Sequence, residues 1–252
     1  MPDPRLLAGL FIIVMVGALV IGRAWASRRP VLRTLAGFRI LPGQQSRAIE
    51  SGQSLHIALG TGGVGSGNTA TTLAGLTVLE NLADEAAATD TPPTVTVADP
   101  TALVMAQDVL RRAYVRRGNL RGYDPRSIRY VAASPFPYAA GVMDILATEE
   151  TSANVMAGVF GSEAAFIAEE GSKQGFLQVA GAADPTPLGV LYPSVNHLLI
   201  GEEMFTAGAY IGEHPSHVAS LLAQDVIRWT LVIIIFAFSL GVLLEQFVGG
   251  PR

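Results

Sequence analysis

Ten consecutive residues hold the pattern richest in chemistry: Gly60-Thr61-Gly62-Gly63-Val64-Gly65-Ser66-Gly67-Asn68-Thr69. Gly60, Gly62 and Gly65 make a G-x-G-x-x-G motif, and Gly63 and Gly67 add two more positions without a Cβ. Such a loop lets backbone approach a phosphate closely. A helix opening at Thr69 would turn its N–H groups and positive dipole end toward that anion. Asp99, closing the next apolar run, is placed to accept a ribose hydroxyl. A plainer use fits the same residues. Gly65 and Asp99 are 34 residues apart, against about 20 in dinucleotide-binding units. Asp99 also precedes Pro100, where it would cap a helix. No lysine follows the glycines, and Lys173 is the only lysine of the chain, so a P-loop is excluded. The candidate cofactor-binding residues are Gly60, Gly62, Gly63, Gly65, Gly67, Thr69 and Asp99, with no cofactor specified. A crossover turn built for close helix–sheet packing would use them equally well.

Other groupings carry less. Glu149-Glu150, Glu169-Glu170 and Glu202-Glu203 are carboxylate pairs in sequence, but adjacent residues of a helix do not face each other. His214 and His217 with Glu213 have ligand types at short spacing, interrupted by Pro215 and lacking a third histidine. His197 has Ser194 and Asn196 nearby but no acid partner in a motif, so it reads as a hydrogen-bonded structural histidine. There is no G-x-S-x-G or H-E-x-x-H. No cysteine is present, which removes disulfides, thiolate nucleophiles and Cys-based metal sites. No catalytic or metal-binding residue is assigned.

The elements that must position the loop can be read on either side of it. Apolar, β-rich runs at 55–59, 94–98, 128–132, 154–160 and 176–180 alternate with helical patterns at 69–88, 101–117, 137–147, 163–171 and 187–192. A further helix is expected over 202–211. Strands alternating with helices of this length build βαβ units. The expected fold is therefore α/β, a Rossmann-like, mainly parallel sheet with flanking helices. Asp99-Pro100, Ser134-Pro135 and Asp184-Pro185 repeat one turn chemistry, a capping side chain before a helix-starting proline. Ser162-Glu163 does the same without proline.

Half of the residues are hydrophobic and only 15% are charged, against about 25% in soluble domains. Mean hydropathy is +0.39. Part of the shortfall sits in two uncharged runs, 6–22 (LLAGLFIIVMVGALVIG) and 229–244 (WTLVIIIFAFSLGVLL). Each is at the short end of the roughly 17–25 residues that cross a bilayer. Trp25 and Trp229, the only tryptophans, flank them as an aromatic belt would. Ala24-Trp25-Ala26 resembles a signal-peptide cleavage site, but Arg23, Arg28, Arg29 and Arg33 around it resist translocation, which favours a retained anchor. Residues 1–5 carry one Arg and 23–47 carry six. The positive-inside rule then expects a two-pass protein of the inner (plasma) membrane, in contact with its lipid, with the central domain cytoplasmic. The layout is an anchor at 1–27, an Arg-rich linker at 28–50, the α/β domain at 51–215 and a long helix with the second anchor at 216–252. The pattern from 217 to 247 is uninterrupted, and its first third would pack on the domain.

Charge is segregated by sign. Residues 111–129 hold Arg111, Arg112, Arg116, Arg117, Arg121, Arg126 and Arg129 against one acid, a net of +6. The span 50–225 has 8 basic and 19 acidic residues, a net of −11, so the rest of it is −17. That acidic remainder would repel phosphate, and no aromatic stacking pattern interleaves the arginines, so no nucleic acid is expected. Anionic lipid is one fit for the basic face. A neighbouring copy offering its acidic surface is the preferred one, making a homo-oligomer.

The run SGQSLHIALGTGGVGSGNTATTLAGLTVLENLA, with VTVADPT, SANVMAGVFGSE and ASLLAQD, resembles an uncharacterised bacterial family of membrane-anchored proteins described only as a domain of unknown function. The resemblance implies that these stretches belong to one domain and brings no activity or catalytic residues with it. The expected role is an oligomerising structural or scaffold component. The alternative is a nucleotide- or dinucleotide-binding membrane protein, an enzyme in one version, that uses residues 60–69.

Overall fold

The strand β1 (Ser54–Gly60) is buried at every position but its first, as a strand covered on both faces must be. It lies at the middle of six parallel strands. With β2 (Thr94–Val97), β3 (Ile128–Tyr130), β4 (Thr151–Val159), β5 (Leu177–Ala182) and β6 (His197–Ile200), the sheet order is β3-β2-β1-β4-β5-β6. The computed structural model describes residues 14–18, 20, 21, 33–65, 67–89, 91–212 and 215–248. Arg33–Gly212 form one compact unit, and the segments before and after form a second.

Alternation along the strands separates two layers. Leu55, Ile57, Leu59, Val95, Val97, Val155 and Val179 face α1 (Ala36–Ser51), α2 (Thr69–Thr89), α3 (Pro100–Arg116) and α7 (Ala207–Tyr210), where Phe38, Leu41, Leu79, Leu82, Leu110 and Tyr114 complete a core. The intervening positions Ala58, Met156 and Ala180 face α4 (Pro135–Thr148), α5 (Ala164–Lys173) and α6 (Pro185–Leu191), meeting Tyr138, Val142, Leu146, Ile167 and Leu191. The sheet is thus mainly parallel with helices on both faces, an α/β arrangement consistent with a Rossmann-like fold. This strand order reverses between β1 and β4, and ligands of open α/β sheets bind at the carboxyl ends of the strands at such a point.

Several expectations are corrected. Residues 36–50 of the stretch expected as a linker at 28–50 lie in the helix α1, with Pro42 inside it and Gly52 ending it at φ +69°. The strand β6 was not foreseen, since HLLI is four residues long. The helix expected over 202–211 is a 3-10 stretch, Gly201–Thr206, followed by the single turn of α7. Of the shared turn chemistry, only Asp99 caps with its side chain. Ser134, Asp184 and Glu163 make no side-chain cap bond, so proline is the common part at 135 and 185.

The helix α8 (Pro215–Val248) carries exposed Trp229, Ile233, Phe236 and Phe238. Among the described residues it is the one helix long and apolar enough to cross a membrane. The expected pair of transmembrane helices is therefore not shown. Residues 14–18, 20 and 21 of the first apolar run are helical, and the rest of that run lies outside the described residues.

Candidate functional site

The glycine loop leaves β1 at the reversal point, and the structure brings residues 60–65 and 67–69 and Asp99 together at the carboxyl ends of β1 and β2. Gly60 has φ +73°, and a Cβ there would overlap the Val159 carbonyl of β4. A Cβ at Gly62 would strike the Val159 side chain and lie 2.5 Å from Thr72 Oγ1, and one at Gly63 would lie 2.5 Å from the Asp99 carboxylate. These three glycines answer to packing by the protein's own atoms. Gly65, at φ +97°, and Gly67 have nothing within 4 Å of a notional Cβ, so the open side of the loop is there.

The loop is also bonded from within. Thr61 N donates to Val159 O at 2.8 Å, Val64 N to Thr101 Oγ1 at 2.8 Å, and Gly65 N to Thr69 Oγ1 at 3.0 Å. Thr101 Oγ1 in turn donates to Asp99 Oδ1. That oxygen also accepts from Thr101 N at 2.7 Å and Ala102 N at 3.3 Å, as a cap does. The Thr101 hydroxyl, followed by these backbone donors, holds the Asp99 carboxyl below the ordinary range against the opposing effect of burial. Thr101 therefore ties the loop to the end of β2. A threonine two residues past a cap does not reveal from its position that it will reach back to another loop.

A second polar constellation lies under the loop, on the α4–α5–α6 side of the sheet. His56 of β1 is fully buried, with Nδ1 2.8 Å from Asn154 Oδ1 and Nε2 3.1 Å from Thr96 Oγ1. Asn154 Nδ2 donates to Gln178 Oε1 at 3.0 Å, and Gln178 Nε2 donates to Ala168 O, Ser194 O and Ser172 Oγ. At the other end Tyr138 Oη lies 3.1 Å from Thr96 Oγ1 and accepts from Gly60 N at 3.3 Å. A continuous row thus runs from the loop across β2, β1, β4 and β5 to α5. Because Asn154 gives its NH2 to Gln178, its oxygen faces His56, so Nδ1 carries the histidine proton and Nε2 accepts from Thr96. Burial lowers the His56 pKa from 6.5 to about 4 despite the Asn154 bond, and burial pushes the Tyr138 phenol well above its usual value. Such a row holds a neutral imidazole in one tautomer, sets register and leaves no group poised to exchange protons near neutrality.

The remaining candidates scatter. Glu149 pairs with Arg129, Glu170 with Lys173, and Glu203 Oε2 accepts the Ile200 N–H at 3.0 Å. His197 is half-buried on β6, and His214 lies outside the described residues. Among the described residues no three His, Asp or Glu side chains converge as metal ligands. The basic block is partly neutralised within the chain: Arg116 reaches Glu80 and Asp84, Arg112 reaches Asp108, and Arg126 reaches Asp124. Arg111, Arg117 and Arg121 have no carboxylate within 4 Å among the described residues.

Neither a curated protein nor a solved structure matches the chain. Residues 4–250 match the family described as Domain of unknown function (DUF6754), and with nearly its whole length covered the chain belongs to that family.

Proposed function

We propose that this protein is an oligomerising structural component of the plasma membrane, held by two membrane segments with its Rossmann-like domain on the cytoplasmic side. The carrying observation is the outward surface of α3 and the turn after it. Val104 is 64% exposed, Val115 53% and Leu120 50%, on the same segment as Arg111, Arg117 and Arg121, which have no carboxylate within 4 Å among the described residues. Exposed apolar side chains interleaved with arginine have the composition of an interface. The acidic remainder of the domain supplies a complementary surface on a second copy, and a contact between unlike patches closes into rings or runs on as arrays. The mass of the full chain in detergent, measured across a salt series, tests the reading. Oligomers that weaken with salt and with Val104→Asp are expected. A monomer under every condition overturns it.

A nucleotide-binding reading has one observation in its favour, the position of the glycine loop where the strand order reverses. Against it, the Val64 and Gly65 N–H groups are already engaged by Thr101 and Thr69. Thermal shift with NAD, NADP, ATP, GTP and flavins separates the two readings. A shift abolished by Gly67→Val, at a position with room for the side chain, would favour the nucleotide.

A further inference from the structure

A groove of about 630 Å³ opens at the amino ends of β4 and β5, the opposite end of the sheet from the glycine loop. Its wall includes Gln44, Arg47 and Glu50 of α1, Ser152 of β4, Phe176 and Asn196. Gln44 is the unexpected member. It follows Leu41 by three residues and precedes Ala48 by four, on the helix stripe that packs inward, and is only 4% exposed. Its carboxamide makes no hydrogen bond with any described residue. Its polar atoms are not sealed in the core but open into the groove, where water or the polar atoms of a ligand meet them. Arg47 and Glu50, three residues apart, also line the groove without forming an ion pair with each other or with any described residue. A cation and an anion on neighbouring turns that face one cavity separately fit a ligand bearing both charges.

We propose that this groove binds a small zwitterionic α-amino acid. Its carboxylate would meet the Arg47 guanidinium, its ammonium the Glu50 carboxylate, and its polar atoms the Gln44 and Asn196 amides, with its side chain along Phe176. An inorganic anion would be attracted by Arg47 but repelled by Glu50, and a simple amine the reverse. The proposal is independent of assembly and of the glycine loop.

Titration calorimetry of the full chain in detergent with L-alanine, L-glutamine and L-phenylalanine tests it, with sodium acetate and methylammonium chloride as single-charge controls. At least one amino acid should bind saturably and both controls should bind at least about tenfold more weakly. Arg47→Gln and Glu50→Gln should each weaken binding about tenfold or more. Gln44→Leu should abolish binding while the unliganded melting temperature holds or rises, since a mostly buried side chain without a protein hydrogen bond is replaced by an apolar one of similar size. Acetate binding as tightly as the amino acids, no binding by any of the three, or unchanged binding in Arg47→Gln would each overturn the proposal. So would a Gln44→Leu protein that melts lower yet binds normally.

Discussion

His56 and Asn154 stand side by side on β1 and β4, 98 residues apart in the chain, with Nδ1 and Oδ1 at 2.8 Å. Neither side chain reaches water, and each uses its other end to bond the next strand outward, His56 to Thr96 and Asn154 to Gln178. In a parallel sheet of small residues such as Ala58 and Ala180, this row replaces apolar packing with directional bonds. A slip of one strand would break several of them at once.

The histidine makes stability depend on pH. The unfolded chain takes up a proton at His56 near 6.5, whereas the folded chain resists until about 4. Between those values the unfolded state binds more protons, so stability should be fully present above about pH 6.5 and fall as pH drops toward 4, by about 3 kcal/mol in all. Urea unfolding across this range should show the loss, and His56→Gln should flatten it. An equal slope in both proteins would sink the assignment.

Asn154→Ala should be among the most damaging single changes. It strands the His56 Nδ1–H and the Gln178 Oε1 in a dry interior and should cost about 3 kcal/mol. Chemical denaturation reads this directly, and a loss below about 1 kcal/mol would mean that water replaces the amide.

Thr101→Val keeps the shape of the side chain and removes the link between Val64 N and Asp99. The expected cost is about 1 kcal/mol, with faster amide exchange at Val64 and an Asp99 carboxyl moved back toward its ordinary value. Thr101→Ser should restore both. Exchange at Val64 that ignores the substitution would show the loop to be held by other contacts.

The glycines of the loop should divide into two classes. Gly63→Ala places a methyl against the Asp99 carboxylate and should destabilise by about 2 kcal/mol. Gly67→Ala meets open space and should be neutral, or stabilising by up to about 1 kcal/mol through the unfolded chain. Thermal melts of the two variants decide the matter, and similar losses at both positions would contradict the packing account.

Five strands and the helices between them were legible because fully buried runs such as TVTV and NVMAGV leave a strong local trace. Their neighbours β6 and α1 left little. HLLI is too short to stand out, and α1 hides behind Pro42, Gly43 and a cluster of arginines, with Gln44 interrupting its apolar stripe. The glycine loop was found by its motif, and the packing demand that competes with ligand binding was anticipated in kind. Its particular source, Val159 and Asp99, was not. His56 could not be picked out at all. One histidine in an apolar run looks the same whether it is tolerated or organised, and the partners that organise it are 40 and 98 residues away.

The strand order also sets a timetable. During synthesis β1 obtains its first neighbour about 40 residues later, when β2 emerges, but the other side must wait nearly 100 residues for β4. Contacts of such long sequence separation form late and slowly, so for much of translation the exposed edge of the future central strand is open to any extended chain nearby. Asn154 is the residue whose arrival ends that interval. Substitutions there should therefore lower the yield of newly made protein as well as the stability of the molecules that do fold.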